Sequence, residues 1–247
     1  MVNLFDLLPW MLITGIVPLV MLFIPYFKSK INELTLHLML GASAGILLGI
    51  SFFGIIPEAY KLNIETAGIG IALGFLTLLI VEHFLMRQNK VGGHKSGKKN
   101  IQPFGTLALG GMVAHGLVDG FVIPLGFSAG PEVGIIVGLA IALHQIPDSF
   151  VAASVSLGAG FSKKNSMLSI ILTALDTPIG ILAGLLFLGT GGWLVPIGLG
   201  FAAGTFIFVA AADLIPELQH TEKRTSVIIS IIAGLMLVAL LANFLPI

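Results

Sequence analysis

The chain has 247 residues, of which 56% are apolar and 10% are charged, and its formal net charge is zero. A soluble domain carries about 25% charged residues, so this composition excludes an ordinary water-covered surface and indicates a membrane protein. The zero net charge gives no bulk attraction to nucleic acid, and the absence of cysteine excludes disulfides and thiolate metal ligands.

Eight apolar runs follow one another along the chain, each close to the length that crosses a bilayer as a helix. They predict an all-α polytopic membrane protein with one transmembrane domain over residues 1–247. We expect spans at about 7–26, 35–57, 67–87, 102–127, 132–159, 165–188, 193–217 and 225–245. Spans 4 and 5 are separate, because one helix through both would have about 58 residues, too many for one bilayer.

The basic residues are divided unequally between the two sides that these spans define. The loops after spans 1, 3, 5 and 7 hold 11 of the 12 lysines and arginines, and the other side has only Lys61. Cytoplasmic loops are enriched in basic residues, so the side with 11 is predicted to be cytoplasmic. We therefore expect an integral protein of the plasma (inner) membrane with both termini extracytoplasmic.

Spans 2 and 7 match each other at an offset of 159 residues. They read GASAGILLGISFFGIIPEA from Gly41 and GFAAGTFIFVAAADLIPEL from Gly200. The two spans run in opposite directions through the membrane, so the match predicts an inverted repeat. Chance similarity between glycine-rich apolar helices is the alternative.

Spans 4 and 5 contain a second matched pair of strings, AHGLVDGFV and LHQIPDSFV. Each places a histidine and an aspartate four residues apart, His115 with Asp119 and His144 with Asp148. Positions i and i+4 lie on one face of a helix. His115 lies 15 residues before Gly130 and His144 lies 14 after it, so both pairs are predicted at one depth inside the bilayer.

Four ionisable side chains at this depth need a compensating partner, since each costs about 3 kcal/mol or more on insertion scales. A divalent cation such as Zn²⁺, Fe²⁺ or Mn²⁺ is one such partner, because it accepts imidazole and carboxylate ligands. Gln145 and the span 6 carboxylate of Asp176 are further candidate ligands. Hydrogen-bonded core residues and a proton relay are the alternatives.

Helix irregularity is also expected near these groups. Pro124, Pro147 and Pro178 lie within spans 4, 5 and 6, and each removes a backbone hydrogen bond and should loosen its helix.

Polar residues near the ends of spans 2 and 7 are candidates for the pathways that lead to and from the metal site. Glu58, at the end of span 2, is a candidate for an outer access pathway. Asp213, Glu217 and His220 are candidates for an inner exit pathway. For Glu58, Asp213 and Glu217 the alternative is that they are ordinary helix-end charges.

The strings HGLVDG and HQIPD resemble the metal-binding signatures of helices 4 and 5 in the ZIP family of divalent-metal transporters. The resemblance extends over the whole chain and includes the AAGTF and DLIPEL stretches of span 7. It implies a 3+2+3 arrangement of eight helices, a site between helices 4 and 5, and movement of metal into the cytoplasm. It implies Zn²⁺ as the commonest substrate, with Fe²⁺, Mn²⁺ and Cd²⁺ as further ones. It also implies no enzymatic activity and no cofactor beyond the transported metal. Membrane lipid is the expected surrounding partner, and a homodimer is a candidate assembly.

Three positions depart from the family pattern. Gly116 stands where many relatives have Asn or Ser, Gln145 where they have Glu, Asn or Asp, and Thr177 where a helix 6 Glu precedes proline. In relatives with two metals these positions supply much of the second site. We therefore predict one principal metal, held by the two His/Asp pairs.

Two other functions remain open from the residues alone. An intramembrane metal-dependent hydrolase would need an open coordination position and a general base. A proton-coupled carrier of an organic solute would use the same ionisable groups without metal. The first is distinguished by turnover of a lipid or peptide, and the second by pH change that depends on the solute.

Overall fold

The computed structural model describes residues 2–20, 33–91, 102–158, 161–188, 194–219 and 223–244. Within these ranges the chain forms ten α-helices: α1 Leu4–Val20, α2 Glu33–Gly49, α3 Ile56–Leu62, α4 Ile64–Val91, α5 Gln102–Ala129, α6 Pro131–Gly158, α7 Lys163–Leu188, α8 Val195–Phe208, α9 Ile215–Leu218 and α10 Arg224–Phe244. Two six-residue π-helical segments, Ile50–Ile55 and Val209–Leu214, join α2 to α3 and α8 to α9.

Seven stretches of the described chain are long and apolar enough to cross a membrane. They are His37–Leu62, Ile64–His83, Leu109–Ala129, Pro131–Phe150, Lys163–Leu188, Val195–Ala212 and Arg224–Phe244. Helix α1 is a shorter apolar helix of 17 residues, and the end of the predicted span 7–26 lies outside the described residues. The prediction of a helical polytopic membrane protein is confirmed.

The helices pack as two groups. In the first group α5 packs on α7 and α6, and α1 packs on α7 and α6. In the second group α4 packs on α8, α2 packs on α10, and α3 packs on α8. The groups meet where α6 contacts α2 and where α5 contacts α8. Packing therefore associates α1 with helices that lie far from it in sequence.

The second group contains matched features at the offset of the sequence repeat. A Cβ atom on Gly45 of α2 would collide with the Ile231 carbonyl of α10, and one on Gly204 of α8 would collide with the Ile71 carbonyl of α4. Gly45 and Gly204 are 159 residues apart, as are the starts of the two π-helical segments. The glycines permit the close backbone approach of both helix pairs.

The prolines do not interrupt the helices of the first group. Helices α5, α6 and α7 continue through Pro124, Pro147 and Pro178, so the expected loosening does not break a helix. One lost hydrogen bond is tolerated where neighbouring helices pack around the freed backbone. The irregular backbone lies instead in the second group, in the two π-helical segments.

Candidate metal centre

The two His/Asp pairs converge from α5 and α6 on one point, and we call these four residues the cage. The Nε2 atom of His144 lies 3.0 Å from Asp119 Oδ2 and 3.6 Å from Asp148 Oδ2. The Nε2 atom of His115 lies 3.7 Å from Asp119 Oδ1 and 3.9 Å from Asp148 Oδ2. Each imidazole therefore faces a carboxylate from its own helix and one from the neighbouring helix.

These separations fit a shared cation. Ligand atoms of His115, His144 and Asp148 all lie within 4.8 Å of one another. Four tetrahedral bonds of about 2.1 Å place ligand atoms about 3.4 Å apart, so only small side-chain shifts would complete the coordination. The cage supplies two nitrogen and two carboxylate ligands, a set that suits first-row divalent metals.

The two histidines of the cage differ in their hydrogen bonds. The Nδ1 atom of His144 lies 3.2 Å from the Ala140 carbonyl. A proton on Nδ1 donates to that carbonyl and leaves Nε2 as the nitrogen that presents a lone pair to the cage. Both ring nitrogens of His115, and Oδ1 of Asp119, are buried without a hydrogen-bond partner. An unpaired buried polar atom costs about 1–3 kcal/mol, which a bound cation would offset.

The cage borders a cavity of about 30 Å³. This volume is on the scale of one water molecule, so the space suits a single ion that has lost most of its hydration shell. Three cage residues line it, His115, Asp119 and Asp148, and the rest of the lining comprises Pro18, Met112, Gly116, Gln145, Ser149, Thr173 and Asp176. All four helices of the first group contribute to it.

Phe206 on α8 brings the second group into contact with the cage. Its side chain is fully buried, and its ring centroid lies 6.0 Å from that of His115 and 6.2 Å from that of His144. Both contacts are edge-to-face. Sequence reasoning missed Phe206, because one apolar residue within an apolar span carries no local signal; its place in the repeated stretch was the only available indication.

Gln145 and Asp176, the two further predicted ligands, both line the cavity and are joined through Thr177. Gln145 Nε2 donates to Thr177 Oγ1 over 2.6 Å, and the Thr177 hydroxyl and backbone N–H both donate to Asp176 Oδ1. Gln145 Oε1 is buried and has no hydrogen-bond partner. A Cβ atom on Gly116 would collide with the Asp176 carboxylate. Of the three positions that depart from the family pattern, Gln145 and Thr177 therefore hydrogen-bond in one network, and Gly116 leaves room for it.

The residues predicted to form the access and exit pathways lie away from this cavity or outside the described part of the structure. Glu58 is buried on α3, where its Oε1 accepts a 2.6 Å ion-pair hydrogen bond from Lys61 Nζ, and it does not line the cavity. The side chains of Asp213 and Glu217, and all of His220, lie outside the described residues. Their pathway roles stay predictions.

Known proteins are similar to this chain over more than half of its length. A family model described as the ZIP zinc transporter matches residues 87–242. The zinc transporter YKE4 of Saccharomyces cerevisiae is 24% identical over 84% of this chain and 68% of its own length. The zinc transporter zipt-7.2 of Caenorhabditis elegans is 28% identical over 60% of this chain. The zinc transporter SLC39A7 of Homo sapiens is 28% identical over 56% of this chain. The matched regions are 33% and 32% of the lengths of the last two proteins.

Proposed function

Because this chain belongs to the ZIP zinc transporter family, we propose that it moves divalent transition-metal ions, above all Zn²⁺, across a membrane through the cage. The observation that supports this most is the convergence of two imidazoles and two carboxylates on one point, beside a cavity of about 30 Å³ that three of the four residues line. The members of this family are transporters, so the enzyme alternative, an intramembrane hydrolase, is not favoured.

The cage replaces the hydration shell that an ion loses on entering the protein. Two carboxylates balance the 2+ charge of one ion, so the loaded cage is close to neutral in surroundings where net charge is costly. Two imidazoles supply the nitrogen ligands that Zn²⁺ accepts. His144 is oriented by the Ala140 carbonyl, whereas His115 has no hydrogen bond to break before it binds metal.

Release requires the cage to face each side of the membrane in turn. We propose alternating access with the metal delivered to the cytoplasm, the side predicted to hold 11 of the 12 basic residues. The 159-residue offset of the π-helical segments and of Gly45 and Gly204 supports an inverted repeat around helices α5 and α6. Glu58 would gather ions outside, and Asp213, Glu217 and His220 would receive them inside.

Uptake of ⁶⁵Zn²⁺ into proteoliposomes tests the proposal. The double variant His144→Ala/Asp148→Ala removes half of the cage, and we expect initial uptake to fall at least about tenfold. The matched control His37→Ala/Glu65→Ala removes one imidazole and one carboxylate from outside the cavity and should retain uptake. Equal uptake by the two double variants would show that the cage is not the transport site.

A further inference from the structure

Helices α5 and α7 are in close contact along one half of their length and separate along the other. In the half nearer their carboxyl ends, a Cβ atom on Gly120 would collide with the Thr177 carbonyl. One on Gly180 would collide with the Leu117 carbonyl. Nearer the amino end of α5, a Cβ atom on Gly110 would meet no neighbouring atom within 4 Å. The two helices therefore form a wedge that opens toward their amino ends, on the side predicted to be cytoplasmic.

The open part of this wedge is a groove of about 640 Å³ with largely apolar walls. Leu109 and Val113 line it from α5. Leu168 and Leu172 line it from α7, and both are about half exposed. Among the described residues, this groove and the cavity beside the cage share no lining residue, so the groove is a separate feature of the molecule.

Two positive charges lie at the amino end of α7, where the groove ends. Phe161 and Asn165 line the groove there, and Lys163 and Lys164 lie between them in the chain and are exposed. The cytoplasmic leaflet of a membrane contains anionic lipids, and basic pockets between transmembrane helices on that side bind their head groups. An apolar groove with two ammonium groups at its cytoplasmic end is complementary to such a lipid in both polarity and charge.

We propose that this groove binds one anionic phospholipid of the cytoplasmic leaflet, with its phosphate beside Lys163 and Lys164 and an acyl chain between α5 and α7. An acyl chain in the wedge contacts apolar walls on two helices, whereas a chain on a flat helix face contacts one wall, so the wedge favours one fixed position. The ammonium groups select a lipid with a negative charge over a zwitterionic one. This site goes beyond the transport function and does not depend on it.

Lipid binding to the purified full chain, measured by native mass spectrometry, tests the charge selection. Dioleoylphosphatidylglycerol should bind to wild type more tightly than dioleoylphosphatidylcholine. Lys163→Gln/Lys164→Gln should weaken phosphatidylglycerol binding at least about tenfold and leave phosphatidylcholine binding unchanged. The matched control is Lys223→Gln/Arg224→Gln, which removes two exposed basic residues from the same predicted side, at the start of α10. It should retain the wild-type affinity.

A substitution within the wedge tests the position of the lipid. Gly110→Leu should fill the groove without a collision and weaken phosphatidylglycerol binding at least about tenfold, because the leucine side chain takes the place of the acyl chain. Gly68→Leu on α4 is the control, since a Cβ atom there also meets nothing within 4 Å, and it should bind the lipid as wild type does. In the Gly110→Leu background the two lysine substitutions should have little further effect, because both changes act on one bound lipid.

The outcomes separate this site from general attraction of lipid to a basic surface. Equal losses in the two basic double variants, or equal affinity of wild type for the two lipids, would overturn the proposal. Unchanged binding by a folded Gly110→Leu protein would place the lipid outside the groove and also overturn it. Thermal unfolding checks that each variant is folded, and if Gly110→Leu is not, the lysine variant and its control decide. None of these measurements involves Zn²⁺, so their failure would leave the proposed transport function standing.

Discussion

At the scale of single residues, Phe206 joins the cage to helices that supply none of its four ligands. Its ring lies edge-on to both imidazoles, so it limits how far either can rotate away from the cavity. Phe208, two residues later on the same helix, is also buried but packs against Phe75 with a centroid separation of 5.2 Å. The two phenylalanines are matched in residue type, helix and burial, and of the two Phe206 is the one in contact with the imidazoles of the cage.

Substitution of these phenylalanines should separate stability from metal affinity. Phe206→Ala and Phe208→Ala each leave a buried cavity and should destabilise the protein by about 3–5 kcal/mol. Only Phe206→Ala frees the imidazoles, and it should weaken Zn²⁺ binding by about tenfold. Thermal unfolding and calorimetric Zn²⁺ titration of detergent-purified protein measure the two effects. If both variants bound Zn²⁺ equally, Phe206 would have no positioning role.

At the scale of helices, Gly204 and Gly45 set how closely two pairs of helices approach. Gly204→Ala should force α8 away from α4 and cost about 1–3 kcal/mol, the range for overpacking. Gly68→Ala on α4 is the control, because a Cβ atom there meets nothing within 4 Å and a helix gains from replacing glycine. Thermal unfolding in detergent should rank Gly204→Ala well below Gly68→Ala. A Gly204→Ala protein as stable as the control would contradict the close approach.

The sequence predicted the helices and those ligands whose spacing matches the period of a single helix. The apolar runs gave the helices, and the spacing of His115 with Asp119 placed two ligands on one face. The contact between Gly116 and Asp176 was not predictable in this way, because it depends on how closely α5 approaches α7. The π-helical segments were also missed, since a single wider turn leaves the apolar composition of a span unchanged.

At the scale of the whole molecule, orientation can be tested without background labelling because the chain contains no cysteine. Glu65 and Asn165 are exposed, and the predicted topology places them on opposite sides of the membrane. Glu65→Cys should react with a membrane-impermeant maleimide in intact expressing cells. Asn165→Cys should react only after permeabilisation. The reverse pattern would place both termini in the cytoplasm and contradict the predicted direction of the loops.

The two π-helical segments also bear on the ancestry of the chain. A wide turn absorbs one inserted residue locally, whereas the same insertion in a regular helix rotates everything beyond it by about 100°. Both segments have six residues and begin 159 positions apart. Under the proposed repeat, one insertion in an ancestral half, followed by duplication, accounts for both segments with a single event. The wide turn would then be older than the transporter that now contains it twice.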